Sequence, residues 1–174
     1  MFIVFAGLPG TGKSTIAQNL AERLKAIYLR VDSIEQAIRS SGILPPKADI
    51  GPAGYMAVCR VAVDNLRLGH SVIADSVNPI RITRDAYRDV AKRADVRFLE
   101  VEVVCSDITT HRHRVETRVS DVEGLTLPTW EQVETRRYEA WDSPPLQLDT
   151  ASLSVTRCVE RIVSAISATT PQNA

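Results

Sequence analysis

The sequence predicts an α/β fold, a three-layer αβα sandwich around a five-stranded parallel sheet with a helical lid. Three observations predict it. Short apolar runs alternate with stretches of helical periodicity through the chain. The connections are short, and no internal repeat or low-complexity linker divides the 174 residues, as expected of βαβ units built into one sheet. Two of the apolar runs end at an aspartate, Asp32 and Asp75, and open α/β sheets place their ligands beyond the carboxyl ends of their strands.

Phe2 to Ala6 is the first strand, followed at once by the glycine-rich stretch Gly7-Leu8-Pro9-Gly10-Thr11-Gly12-Lys13-Ser14-Thr15. Ile16, Ala17, Leu20, Ala21 and Leu24 then make one helical stripe. Ala26 to Val31 reads as a second strand ending at Asp32, with Ser33 as N-cap of a helix through Ile34, Ala37 and Ile38. Gly42 to Pro46 breaks that helix, and the chain stays in loop to Gly54. A helical pattern runs from Tyr55 to Leu68 and closes at Gly69. Ser71 to Ala74 is the third strand, ending at Asp75, and a loop from Ser76 to Pro79 leads to a helix over Thr83–Ala94. Val96 to Cys105 is the longest strand-like run. The next helix starts near Ser106 or Asp107 and carries His111, Arg112, His113, Arg114 and Arg118. Gly124 to Pro128 interrupts it, and Thr129 caps a further helix through Tyr138. Leu146 to Asp149 is the last strand, before a closing helix from Ser152 or Ser154 to about Ile166 and a frayed tail over 169–174.

Composition narrows the function. A chain of this length fits a single domain, 1–174, and buries about 70% of its unfolded surface. Twenty-one basic residues balance 21 acidic ones, so no global field draws in nucleic acid or an anionic membrane. Cys59, Cys105 and Cys158 have neither zinc nor disulfide spacing and read as small buried thiols. The N-terminal apolar run is too short for a signal peptide, and no run reaches membrane-spanning length. The expectation is a cytoplasmic protein.

The glycine-rich stretch carries the chemistry. Gly, four residues, then Gly-Lys-Ser is the P-loop signature, here in its strand–loop–helix setting. Backbone N–H groups of Gly7, Pro9's neighbours, Gly10, Thr11, Gly12, Ser14 and Thr15 must converge on phosphates at close range, which requires glycine where φ is positive. The helix beginning at Lys13 turns its free N–H groups to the same anion. Lys13 is expected to reach the β- and γ-phosphates and the Ser14 hydroxyl to bind Mg²⁺. These residues predict a nucleoside triphosphate as the ligand. Phosphoryl transfer further needs a carboxylate for the acceptor proton, a second one for the metal, and arginines for the moving charge. Asp32 is the candidate base, Asp75 the metal or orienting carboxylate, and Arg114 and Arg118, four apart on one helix, the arginines of a lid over about 112–130. Arg136 and Arg137 are weaker candidates, flanked by Glu134 and Glu139. His70, His111 and His113 lack metal spacing and read as surface or capping residues, and Trp130 and Trp141 as packing anchors. Residue 76 is serine, where motor ATPases carry a water-activating glutamate.

GLPGTGKST, YLRVDS around Asp32, SVIADS around Asp75, and RVETR followed by LPTW resemble the small P-loop kinases of the zeta-toxin, polynucleotide-kinase and chloramphenicol-phosphotransferase group, many of whose members are labelled AAA-family ATPases. The resemblance in element order covers nearly the whole chain. It implies sheet order 2-3-1-4-5, ATP·Mg²⁺ as donor, transfer of the γ-phosphate to a hydroxyl, Asp32 as general base, and Arg114 and Arg118 as lid arginines. Polynucleotide kinases carry an arginine three residues after the base, where this chain has Glu35. That departure, with the neutral net charge, points away from a nucleic-acid acceptor. The acceptor pocket is expected from the segment Ile43 to Asn65, with Tyr55 and Met56 at its mouth, plus Asn78 and Arg81. Their mixed character suggests a small polar molecule with a hydroxyl. Two other readings stay open: a nucleotide-binding switch or regulatory ATPase acting through a protein partner, and a zeta-like toxin kinase of nucleotide sugars. A guanine-reading Asn-Lys-x-Asp tetrapeptide is absent. Oligomeric state has no signature in the sequence.

Overall fold

The computed structural model describes residues 1–45 and 48–168. Pro46, part of the expected helix break, and the expected frayed tail over 169–174 lie outside the described residues. The elements run β1 (Phe2–Ala6), α1 (Lys13–Leu24), β2 (Ile27–Arg30), α2 (Val31–Ser40), α3 (Ala53–Arg67), β3 (Val72–Asp75), α4 (Arg81–Ala94), β4 (Phe98–Val104), α5 (Ile108–Thr117), α6 (Trp130–Glu134), β5 (Leu146–Asp149) and α7 (Val155–Ala168). The five strands pair in parallel in the order β2-β3-β1-β4-β5, as the resemblance implied. No helix of the described residues is long and apolar enough to cross a membrane.

β1 is apolar throughout because it is central and covered on both faces. Side chains alternate along it. Ile3 and Phe5 join Ile16 and Leu20 of α1, Val101, Leu148 and Ile162 of α7 in one core. Phe2 and Val4 join Val31, Val58, Leu66, Tyr87 and Val90 on the other face. Each such fully buried side chain contributes roughly 1.5–3 kcal/mol of transfer free energy. β1 has β3 on one side and β4 on the other, so its carboxyl end is the point where successive connections diverge. The glycine-rich loop leaves the sheet there.

Several boundaries depart from expectation, and three of them bear on the site. β2 stops at Arg30, not at Asp32. It is an edge strand whose one neighbour, β3, ends at the register partner of Arg30, Asp75, so the ladder has nothing further to pair with. Helix α2 then begins at Val31 with Arg30 as its N-cap, which puts Asp32 in the first helical turn and Ser33 inside the helix instead of at its cap. α5 ends at Thr117 and Arg118 is its C-cap in extended conformation, so Arg114 and Arg118 do not share a helical face. The helix expected through Tyr138 stops at Glu134, although Thr129 caps it as anticipated, in a reciprocal capping box with Gln132.

The chain beyond α6 is held elsewhere. Buried Arg84 of α4 donates hydrogen bonds to the carbonyls of Asn78, Glu139 and Ala140, and its guanidinium lies 3.9 Å from the Trp141 ring centroid. Glu139 donates its N–H to the Pro79 carbonyl at 2.8 Å, and its carboxylate accepts from Arg81 N–H at 2.7 Å. These contacts fasten residues 138–142 to the β3–α4 connection.

Candidate active site

The glycine-rich loop turns through three left-handed glycines. Gly7, Gly10 and Gly12 all have positive φ. At Gly10 (φ +86°) an added Cβ would stand 2.5 Å from Val115 Cγ2, so the loop passes too close to α5 to admit a side chain. Gly12 caps α1 without any side-chain hydrogen bond, which leaves the first N–H groups of that helix open to an anion. Thr11 turns its hydroxyl inward to Leu8 O at 2.9 Å and braces the loop.

A cavity of about 520 Å³ opens over this loop. Pro9, Gly10, Gly12, Lys13, Ser14 and Thr15 line its floor, with Asp32, Arg114 and Arg118 around it. Gly7, Thr11 and Asp75 lie behind the wall, all buried. The structure therefore brings nine of the expected site residues to one cavity and sets three beneath it. Lys13 is only 6% exposed and makes no ion pair among the described residues, so a bound anion would supply the countercharge a buried ammonium requires.

Asp75 sits at the end of β3, level with Phe5 and Arg30 on the two adjoining strands. Its Oδ2 accepts a 2.6 Å hydrogen bond from the Tyr28 hydroxyl, whereas its buried Oδ1 has no partner among the described residues. Burial and the neighbouring Asp75 charge push the Tyr28 phenol well above its usual range, so it stays protonated and donates. The orphaned Oδ1 suits a metal-bound water, and the Ser14 hydroxyl at the cavity floor is a second oxygen donor. Among the described residues no cluster of three or more His, Cys, Asp or Glu side chains could hold a metal by itself. That donor set fits Mg²⁺, which keeps most of its waters and takes nucleotide phosphates as ligands.

The arginines play different parts. Arg114 is committed to the loop after β5: its guanidinium donates to Thr150 Oγ1 at 2.8 Å and to Thr150 O at 3.2 Å. The Thr150 hydroxyl in turn lies 2.8 Å from Thr11 O, so Arg114 supports the glycine loop from its flank. Arg118 has a buried Nε without a partner among the described residues. Burial pulls its guanidinium below the ordinary value, and the charge of Asp32 opposes this.

Several participants were not singled out from the sequence. Arg30 lines the cavity, and its Nη1 donates to both carboxylate oxygens of Asp121 at 2.8 Å. This ties the 118–129 span to the end of β2 and holds the Asp121 carboxyl below its usual range. His111, expected at the surface, is buried: its Nε2 lies 2.9 Å from Pro9 O and its ring meets Trp130 edge-on at 5.2 Å. It supports the glycine loop from α5. The only sequence signals were a basic residue at a strand's end and a histidine four residues before Val115, the other buried residue of the same helix.

A second cavity of about 350 Å³ adjoins the first, and Asp32, Glu35, Val77 and Arg136 line both. Tyr55 lines it as expected. Met56 is exposed away from it, Asn78 is buried with its side chain turned to Thr83, and Arg81 pairs with Asp85 outside it. Of the two weaker arginine candidates, Arg136 reaches the site and Arg137 pairs with Glu139 at the surface. Burial, then the charge of Asp32, push the Glu35 carboxyl above its ordinary range.

The profile of the family described as "AAA domain" matches residues 2–139. A Mycobacterium tuberculosis protein is 31% identical over 156 residues, 83% of this chain but 30% of its own length, so the chain spans under a third of that relative. An adenylyl-sulfate kinase of Prochlorococcus marinus is 26% identical over 94% of this chain and 82% of its own. Among solved structures, the Mycobacterium tuberculosis APS kinase CysC in complex with AMPPNP and APS superposes with TM-score 0.68 (17% identity; 95% of this chain, 96% of that one). A gluconokinase of Sinorhizobium meliloti does so with TM-score 0.66 (19% identity; 95% and 91%). The fold is thus that of small P-loop kinases.

Proposed function

The chain belongs to the AAA domain family, and from that premise we propose that it is an ATP-dependent kinase, moving the γ-phosphate of ATP·Mg²⁺ to a hydroxyl of a small molecule. The observation that carries this reading is the position of Asp32. Its carboxylate lines both the cavity over the glycine loop and the one beside it, where a base must stand to join a donor to an acceptor. Kinases among the relatives and similar folds, one of them with AMPPNP and APS together, support a two-substrate site.

In this reading the loop amides and the N-terminus of α1 hold the phosphates, and Lys13 neutralises charge on the β- and γ-oxygens. When bound, Mg²⁺ would draw charge off the same oxygens, with Ser14 and, through water, Asp75 as its protein-side partners. Asp32 accepts the proton of the acceptor hydroxyl as its oxygen bonds to the γ-phosphorus and the β–γ bridging bond breaks. ADP departs, and Arg118 follows the charge on the transferred group. Residues 118–129 act as the lid, which excludes water and limits wasteful hydrolysis.

The test is a [γ-³²P]ATP transfer screen over hydroxyl metabolites, nucleosides, antibiotics and 5′-hydroxyl oligonucleotides, with phosphate release recorded alongside. Label on one acceptor class, lost in Asp32→Asn, is the expected result. Steady hydrolysis that no acceptor stimulates would overturn it and favour a nucleotide-driven switch.

A further inference from the structure

We infer that Asp121 is a positioning residue: it holds the Arg30 guanidinium away from Asp32, and so leaves that carboxylate free to accept a proton. The role of Asp32 here rests on the kinase reading; the rest stands on the contacts of Arg30. Arg30 ends β2 on the same face of the strand as Tyr28, and its side chain is 13% exposed. Two carboxylates flank its guanidinium. Asp121 takes Nη1, which donates to both of its oxygens at 2.8 Å. Asp32 Oδ2 stands 3.9 Å from Nε, about 1 Å beyond ordinary hydrogen-bond distance. Nε is buried and donates to nothing among the described residues.

A buried N–H that stops just short of a carboxylate is unfavourable unless something bars the approach. The guanidinium is rigid and planar, so Nε cannot advance on Asp32 without carrying Nη1 with it. The two bonds to Asp121 oppose that movement. Tyr28 and Asp75 also act on Arg30 through their charge, but they are already bonded to each other. Asp32 accepts no hydrogen bond among the described residues, and the charged groups that face it are Arg30, Arg118 and Glu35. A carboxylate locked in a hydrogen-bonded arginine pair holds its charged form more firmly and is a weaker base. Asp121 belongs to the span over the glycine loop, so Asp32 stands free only while that span rests on β2.

The experiment follows the Arg30 Nε–H by nitrogen-resolved NMR of the full chain, its resonance assigned by its loss in Arg30→Lys. Asp121→Ala, at an exposed side chain, should shift the proton downfield as Nε donates to Asp32. Adding Asp32→Ala should reverse the shift. Gln18→Ala removes the other tie to Asp121 and should leave the resonance in place, which separates release of Arg30 from loosening of the span. No shift in Asp121→Ala, or one that survives Asp32→Ala, would overturn the inference. Label transfer from [γ-³²P]ATP to the acceptor class found in the screen gives a second readout. A mere tie between the span and β2 would make Asp121→Ala, Arg30→Gln and the double variant equally slow. The expected result is instead a loss of about tenfold in kcat for Asp121→Ala, part of which Arg30→Gln restores when added to it. Equal losses in all three would likewise overturn it. If no acceptor is labelled, the kinase reading fails, and the Arg30 resonance still decides whether Asp121 keeps that guanidinium off Asp32.

Discussion

Tyr28 and Asp75 are joined across adjacent strands by a 2.6 Å hydrogen bond that occupies one carboxylate oxygen and leaves the other, buried, without a partner among the described residues. The phenol thereby orients the carboxylate toward whatever binds at the end of the sheet. Tyr28→Phe should leave Oδ2 buried and unsatisfied, costing about 1–3 kcal/mol in urea unfolding. It should also shift the Mg²⁺ dependence of nucleotide binding several-fold. An unchanged Mg²⁺ titration would show that the carboxylate needs no such orientation.

Asp32→Asn should lower phosphoryl transfer by about 10²- to 10⁴-fold while leaving nucleotide affinity within about twofold. Transfer assays and fluorescent-nucleotide titration on the same preparation check both halves. A near-native transfer rate would remove Asp32 as the base.

Arg114 and Arg118 should separate by type of defect. Arg114→Ala breaks the ties to Thr150 and, through it, to the glycine loop, and should cost about 1–3 kcal/mol of stability. Arg118→Ala removes a guanidinium whose Nε has no partner among the described residues, and should spare stability while lowering kcat by about 10²- to 10³-fold. Thermal melts and steady-state kinetics on both variants distinguish the two patterns.

Gly10→Ala meets positive φ and Val115 together. It should destabilise by roughly 1–3 kcal/mol and weaken nucleotide binding through displacement of the loop. Val115→Ala, which clears the space, should recover part of the binding. Binding of Gly10→Ala equal to native would mean that the loop tolerates the shift.

The Glu35 carboxyl binds its proton more tightly in the folded chain, because burial and the Asp32 charge raise it above its ordinary value of 4.5. Between that value and the raised one, the folded state holds more proton than the unfolded state. Its contribution is therefore present at lower pH and is lost as pH rises through the raised value. Relative to native protein, Glu35→Gln should gain stability as pH climbs through this window. Parallel urea titrations from pH 4 to 8 measure the difference, and a constant offset would contradict the shift.

Legibility in the sequence followed contact range. The glycine loop was readable because phosphate binding needs contiguous backbone N–H groups, and β5 because Leu146–Asp149 is bounded by prolines and a turn. The end of β2 was not, since the register of β3 sets it. The path of the chain beyond α6 answers to Arg84, which captures the carbonyls of Glu139 and Ala140 more than 50 residues away in sequence. His111 is buried because Pro9, 102 residues distant, lies against it, and Arg30 matters because Asp121 folds back onto it across 91 residues. The three strand-end and helix positions of the candidate chemistry could be guessed from local pattern. The apolar lining of the second cavity could not, because α2, α3, α4 and the loop after β3 each supply only part of it.

The span over the glycine loop leaves α5 at Arg118, and at its far end Trp130 stands against His111, a residue of the same α5. Both of its feet rest on one helix, like the handle of a cup. With both ends already paired to that helix, little chain entropy is at stake in ordering the span between them. Between its feet the span is held through Asp121, which accepts from Arg30 at the end of β2 and from Gln18 of α1. The ion pair of Asp121 with Arg30 thus fixes the middle of the span to the β2 edge of the sheet.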